Sequence, residues 1–199
     1  VRVGVWTCVS GVSAFSIAPR YSDNMRDKQS LPLIWLLSDA RNDARLEDVL
    51  AALPQGSGFV FRHYHLGPVA RRARFDTLAA VARAYGHVVV LADTQEWGAD
   101  GHYGTPDRLG KGLRLANAHD EREMQAAVAA QADGIFLSPV FPTASHPGAA
   151  TLGAAGFHAL ADRSPVPVIA LGGMTHERAR ELDWPRWGAI DGLGSTKAA

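Results

Sequence analysis

The chain has 199 residues, of which 20 are Lys or Arg, 20 are Asp or Glu and 47% are hydrophobic, a composition typical of one globular domain. The only cysteine, Cys8, excludes an internal disulfide and a cysteine-based metal cluster. The balanced charge argues against nucleic-acid or membrane partners, and no apolar run approaches the about 20 residues of a transmembrane helix, so we expect a soluble, cytoplasmic protein.

The first thirty residues differ from the rest of the chain. Residues 1–18 are apolar with interspersed Ser, Thr and Gly, and residues 16–18 resemble the small-residue cleavage site of a secretory signal. The polar interruptions disfavour a signal. We expect a poorly ordered N-terminal extension over residues 1–30, consistent with an over-long gene model in which Met25 is the natural start. A single domain is expected over residues 31–199.

Short runs that are apolar on both faces recur along this domain, as in parallel strands covered by helices. They predict strands at residues 33–37, 58–61, 87–91, 101–104, 113–116, 135–138, 167–171 and 187–190. Apolar residues at helical spacing predict helices at 45–53 and 75–85, and a segment rich in Ala, Glu and Gln predicts a third at 120–130. The order of elements is therefore βαβα.

Eight strands in this order predict a small (β/α)8 TIM barrel. The domain is short for a fold of about 250 residues, so we expect brief helices, with one or two missing. The alternative is an open doubly wound sheet, which would normally carry a glycine-rich loop after its first strand. Residues 38–42 contain no glycine, which favours the barrel.

The active site of such a barrel lies at the C-terminal ends of its strands, so polar residues directly after the strands are the candidates. These are Ser38, Asp39, Arg62, His63, Tyr64, Asp93, His102, Asp107, Asn117, His119, Thr143, Ser145, His146, Gly172, Gly173, Asp191 and Gly192. Carboxylates are hard ligands for divalent cations, and arginine and glycine N–H groups bind anions. This rim suits both a cation and an anionic substrate.

Two motifs in the second half of the chain form a specific pattern. A strand running into Pro139-Val-Phe-Pro-Thr143 is followed by a loop ending at Gly148, and a later strand ends in Gly172-Gly-Met-Thr175. In this order the sequence resembles the thiamine phosphate synthase family, which includes the thiazole tautomerases. The resemblance spans about residues 33–192 and implies a (β/α) barrel. The C-terminus looks truncated beside the family, which usually carries an eighth helix.

The resemblance implies a function. Synthases of the family join a hydroxymethylpyrimidine diphosphate to a thiazole phosphate with Mg²⁺, releasing diphosphate and giving thiamine phosphate. The site must then neutralise a leaving group. By their match to family positions, Asp93 and Asp107 would hold Mg²⁺, and Arg62 would act on the diphosphate. Taken alone, the same residue types also suit helix caps or surface ion pairs.

The resemblance and the rim positions give a substrate site. Hydroxyls after the sixth strand would bind phosphate oxygens, and the Gly172 and Gly173 N–H groups would hold the thiazole phosphate. Alone, these residues also suit ordinary turns. The expected substrate- and phosphate-binding residues are Arg62, Asn117, Thr143, Ser145, His146, Gly172, Gly173, Asp191 and Gly192.

Several residues depart from the synthase pattern. Val60 and Tyr64 stand where it has Gln and Lys, Ala92 replaces the Asn beside the metal Asp, and His146 replaces a loop lysine. The three lysines, Lys28, Lys111 and Lys197, all lie away from the predicted rim. Neutral imidazole is a poor counter-ion for diphosphate, so these changes weaken the case for a synthase.

The runner-up function is the tautomerase, which acts on thiazole phosphate carboxylate and needs neither diphosphate nor Mg²⁺. His119 matches the histidine that serves as acid and base there, although some synthases share it. The candidate catalytic residues across both functions are Arg62, His119 and His146. Retention of Asp93 and Asp107 favours the synthase.

Two further alternatives remain. His63, His65, His102, His119 and His146 together with the Asp pair would suit a zinc or other metal-dependent hydrolase. The second alternative is a relative of the family that has no catalytic activity and binds only a thiamine precursor or a protein partner. Without an eighth helix, apolar barrel surface would be left for a partner subunit to cover, as in a homo-oligomer.

Overall fold

The computed structural model describes residues 31–145 and 147–193. The predicted extension over residues 1–30, the site candidate His146 and the C-terminal residues 194–199, where the truncation is expected, lie outside the described residues.

Eight parallel strands close into a barrel, which confirms the predicted TIM barrel and excludes the open sheet. Neighbouring strands pair in sequence order, and the last strand returns to the first, with Trp187 beside Ile34. The strands are β1 Ile34–Leu37, β2 Gly58–Phe61, β3 Val88–Leu91, β4 Gly101–Gly104, β5 Leu113–Ala118, β6 Gly134–Leu137, β7 Val168–Ala170 and β8 Trp187–Ala189.

Five α-helices cover the outside of the barrel in the described part of the chain. They are α1 Leu46–Ala52, α2 Pro68–Ala84, α3 Glu121–Ala129, α4 Gly153–Ala161 and α5 His176–Leu182. The β3–β4 connection has no helix, and the β4–β5 connection has only the 3₁₀ turn Pro106–Arg108. These two connections account for the helices that we expect to be missing. Among the described residues, no helix is long and apolar enough to cross a membrane.

The helices differ from the sequence prediction in two ways. Helix α2 begins at Pro68, seven residues before the predicted start, because proline suits a first helical turn although the apolar pattern begins only at Phe75. Helices α4 and α5 are absent from the prediction. Helix α4 begins with small residues, and α5 is mostly charged and buries only Ala179 and Leu182, so neither has a clear apolar stripe.

The barrel interior is filled with side chains. Trp35, Val60, Leu115, Phe136 and Ile169 belong to the inner cluster and are fully buried. The Trp35 ring meets Phe136 edge-on at 5.6 Å between centroids. A second cluster packs the outer faces of the strands against the helices. Because the interior is solid, substrates have access only to the loops at the barrel's ends.

Candidate active site

A large cavity of about 1590 Å³ opens at the C-terminal ends of the strands. The structure brings most of the predicted rim residues to its wall, and one candidate, His146, lies outside the described residues. The lining candidates are Arg62, Tyr64, Asp93, Asp107, Asn117, His119, Thr143, Ser145, Gly172, Gly173, Asp191 and Gly192. Four other rim candidates do not line it, namely Ser38, Asp39, His63 and His102.

Asp93 is held in place by a buried arginine on α2. Its Oδ2 accepts a hydrogen bond from Arg71 Nη1 at 2.5 Å, and its Oδ1 accepts one from the backbone N–H of Thr94 at 2.7 Å. Partial burial raises the pKa of Asp93, but these hydrogen bonds outweigh burial and leave the pKa below its ordinary value. Arg71 also donates to the carbonyls of Arg62 and Ala92, so it fixes two strand ends at once.

Asp107 lies in the 3₁₀ turn after β4 and also lines the cavity. A hydrogen bond with the Thr105 side chain lowers the pKa of this exposed carboxyl. Both candidate metal ligands are therefore ionised at neutral pH. Among the residues that the structure describes, no three His, Cys, Asp or Glu side chains gather as a metal site. The histidine set of the hydrolase alternative does not come together there.

Arg62 projects into the cavity from a strained strand end. Its backbone N–H donates to the buried Ser38 Oγ at 2.7 Å, and its Nη2 lies 3.5 Å from Asp39 Oδ2. The next residue, His63, has a φ of 39° and bonds Ser38 Oγ at 2.7 Å and Asp43 Oδ1 at 2.8 Å. Ser38 is fully buried, so this Ser–His–Asp chain supports Arg62 and offers no exposed nucleophile.

The loops after β6 and β7 form a close-packed backbone wall. Gly172 and Gly173 have φ angles of 93° and 64°, which disfavour other residues. A Cβ on Gly172 would lie 2.7 Å from Pro139 Cα, and one on Gly173 would lie 2.4 Å from the Pro142 carbonyl oxygen. Thr175 caps α5 by accepting a hydrogen bond from a backbone N–H. Both loops line the cavity.

Arg41 ties three loops together at the mouth of the cavity. Its guanidinium donates to Ser145 Oγ at 2.8 Å after β6 and lies 3.3 Å from Asp191 Oδ2 after β8. It also bonds Asp39 Oδ1 at 3.0 Å after β1. Burial raises the pKa of Asp39, but the hydrogen bonds from Arg41 prevail and lower it. Ser145 and Asp191 are thus held in fixed positions on the wall.

His119 precedes α3 and is half exposed. Its Nδ1 lies 2.7 Å from Glu123 Oε2, and Asp120 rather than His119 caps the helix. A carboxylate on one ring nitrogen orients the imidazole and leaves Nε2 for proton transfer at the cavity.

Several cavity residues escaped the sequence analysis. They are Thr94, Tyr103, Thr105, Arg108 and Arg178. Burial raises the pKa of Tyr103 to about 12, so its hydroxyl remains a hydrogen-bond donor. Strand alternation is a signal that would have found Tyr103, because it places residues 101 and 103 of β4 on one face.

Comparisons with known proteins agree with this geometry. The family described as "Thiamine monophosphate synthase" matches residues 109–184. A thiamine-phosphate synthase from Geobacillus thermodenitrificans is 27% identical over 175 residues, covering 78% of this chain and 79% of the relative. One from Anoxybacillus flavithermus is 35% identical over 80 residues, covering 38% of this chain and 36% of the relative.

A solved structure shares the fold. The thiamine phosphate pyrophosphorylase from Pyrococcus furiosus superposes with a TM-score of 0.69 at 21% identity, covering 85% of this chain and 90% of that one. The partial family match, the relatives and the shared barrel together show that the chain is similar to thiamine phosphate synthases.

Proposed function

We propose that the protein is a thiamine phosphate synthase, which couples a hydroxymethylpyrimidine diphosphate to a thiazole phosphate. The observation that best supports this proposal is the lining of the cavity, which combines arginines, two ionised carboxylates and the backbone of the Gly172–Gly173 turn. The cavity volume of about 1590 Å³ exceeds that of a typical small-molecule site, which is roughly 300–1,000 Å³. It therefore has room for two phosphorylated substrates at once.

The reaction requires charge neutralisation more than proton transfer. The C–O bond between the pyrimidine methylene and the diphosphate breaks, and the diphosphate leaves with the electron pair. The thiazole nitrogen donates its lone pair to form the new C–N bond. The task of Arg62, Thr143 and Ser145 is then to hold the diphosphate oxygens as their charge grows.

The carboxylate pair fits Mg²⁺. The Asp93 oxygens accept hydrogen bonds from Arg71 and Thr94, a carboxylate has further lone pairs for a cation, and Asp107 is exposed. Asp93 and Asp107 would hold the ion, with the remaining ligands coming from water and substrate phosphate. When bound, Mg²⁺ supplies positive charge to the leaving diphosphate.

Asn117 offers a contact for the pyrimidine. Its Oδ1 is buried and has no hydrogen-bond partner in the described part of the chain. An unpaired buried acceptor is costly, and a substrate amino group would satisfy it. We therefore assign Asn117 to the aminopyrimidine.

The test is product formation from both substrates with Mg²⁺. We expect the wild-type protein to release thiamine phosphate, and Asp93→Ala to lower kcat/KM by about 10²–10³-fold, the scale of losing a major charge-stabilising group. Asp76→Ala, an exposed carboxylate on α2, is the matched control and should retain activity. No thiamine phosphate, or equal activity in Asp93→Ala, would refute the synthase.

The tautomerase is a second candidate because of the His119–Glu123 pair. On thiazole phosphate carboxylate, His119 Nε2 would take a proton from one ring position and return it to another. The protein should then convert this substrate without Mg²⁺, and His119→Ala should abolish conversion. Turnover of this substrate alone would replace the synthase proposal.

A further inference from the structure

Arg178 on α5 has no acidic partner in the described part of the chain, a property that it shares with Arg108 among the arginines that line the cavity. Carboxylates lie within 4 Å of Arg41, Arg62 and Arg71, as the ion pairs show. No such pair involves Arg178 in the described part of the chain, although it lines the cavity. Its positive charge is therefore not offset by a neighbouring carboxylate.

The guanidinium of Arg178 is held against the backbone wall formed by the β6 and β7 loops. Its Nη1 donates to the Gly173 carbonyl, and its Cζ lies 5.1 Å from the centre of the Phe141 ring. The same nitrogen would lie 2.9 Å from a Cβ on Gly173, so the group packs directly on the glycine turn. Arg178 therefore contacts both loops, through Phe141 after β6 and through Gly173 after β7.

The side chain keeps unused donors in this position. A guanidinium carries five N–H groups in a planar fork, and only the bond to Gly173 is made among the described residues. Planar paired donors match phosphate oxygens, and the guanidinium stays charged over the whole neutral range. Aliphatic or aromatic ligands would leave these donors unsatisfied.

We propose that Arg178 binds the phosphate monoester of the thiazole substrate beside the Gly172–Gly173 turn, and so supplies a permanent cation in a site poor in lysine. This inference rests on the proposed function for the identity of the ligand. The backbone turn gives shape to the subsite, and Arg178 gives charge.

The test is direct binding, measured by calorimetry, of thiazole phosphate and of its dephosphorylated alcohol. We expect Arg178→Gln to weaken thiazole phosphate binding about 10- to 100-fold, the scale of lost charge-assisted hydrogen bonds, and to leave the alcohol within twofold. Arg180→Ala on the same helix, exposed and outside the cavity lining, is the matched control and should bind as wild type. Arg178→Lys should keep part of the affinity.

A kinetic readout separates binding from structure. With both synthase substrates, Arg178→Gln should raise the KM for thiazole phosphate and leave the KM for the pyrimidine diphosphate unchanged. Unchanged phosphate binding, an equal loss for phosphate and alcohol, or no binding by the wild type would overturn the inference. Arg178-dependent phosphate binding without thiamine phosphate formation would uphold it and refute the synthase instead. If Arg178→Gln fails to fold, Arg178→Met decides: wild-type affinity for both ligands would overturn the inference, and a loss confined to thiazole phosphate would support it.

Discussion

Arginine carries the positive charge of this site. Arg62, Arg108 and Arg178 line the cavity, whereas the described lysine, Lys111, lies at the surface 4.0 Å from Glu96. Guanidinium groups stay charged across the neutral range and present fixed donors, so they compensate for the lysines that the family pattern leads one to expect. The lysine-poor composition is therefore compatible with phosphate chemistry.

The buried guanidinium of Arg71 gives a prediction about stability. Arg71→Ala removes three hydrogen bonds from a buried side chain and leaves Asp93 without its cation. We expect the free energy of unfolding to fall by about 2 kcal/mol, and the pKa of Asp93 to rise. Chemical denaturation measures the first effect. Arg72→Ala, which breaks only an exposed pair with Asp76, should cost about 0.5 kcal/mol or less, and an equal loss in both variants would contradict this role.

His63 gives a prediction about pH. Burial lowers the pKa of His63 below its ordinary 6.5, despite the opposing hydrogen bond that its ring donates to Asp43. The unfolded chain therefore takes up a proton on this histidine at a higher pH than the folded chain, so acid favours unfolding. We expect stability to fall as the pH drops from about 7 to 5.

In His63→Gln this decline in stability between pH 7 and 5 should become shallower, as measured by urea denaturation at each pH. His65→Gln, the neighbouring exposed histidine, is the control. A decline that is equally steep without His63 would show that other groups cause it.

At the level of elements, the loops after β6 and β7 depend on glycine geometry. Gly172→Ala places a methyl group against Pro139 in a backbone conformation with φ of 93°. We expect a loss of about 3 kcal/mol in unfolding free energy, together with weaker phosphate binding. Thermal denaturation and calorimetry measure these two effects.

The control for Gly172→Ala is Gly148→Ala. This residue has a similar φ of 78° but no atom within 4 Å of the added methyl, so only the backbone strain applies. We expect Gly148→Ala to lower the free energy of unfolding by about 1 kcal/mol. Equal losses in the two variants would mean that the contact with Pro139 does not constrain the turn.

The sequence predicts strands better than helices here. Every strand was located to within two residues at each end because buried parallel strands are short continuous apolar runs. Helices α4 and α5 escaped because their buried faces are narrow and rest on the barrel through a few small residues. Tertiary packing rather than local periodicity stabilises such short helices.

At the level of the whole molecule, strand order alone locates the site. A closed parallel barrel brings all the β-to-α loops to one end, so residues that follow different strands meet without being near in sequence. This rule brought twelve of the seventeen candidates that follow the strands to one cavity. The rule could not distinguish residues that line the cavity from residues that support its lining. Ser38 and His63 follow strands, but their side chains form buried hydrogen bonds instead of lining the cavity.

The same limit applies to the partners of each residue. The contacts of Asp93 with Arg71 and of Arg41 with Ser145 join segments far apart in sequence. No local pattern encodes them, since they depend on how α2 and the β1 loop pack. Several arginine–carboxylate pairs thus hold the strand ends together beside the cavity.

The most direct test of the account is the stoichiometry of a single incubation with both substrates and Mg²⁺. The account predicts that thiamine phosphate and inorganic diphosphate appear in equal amounts, with one pyrimidine diphosphate consumed for each. Diphosphate released without thiamine phosphate, or neither product while the thiazole carboxylate is still isomerised, would contradict it.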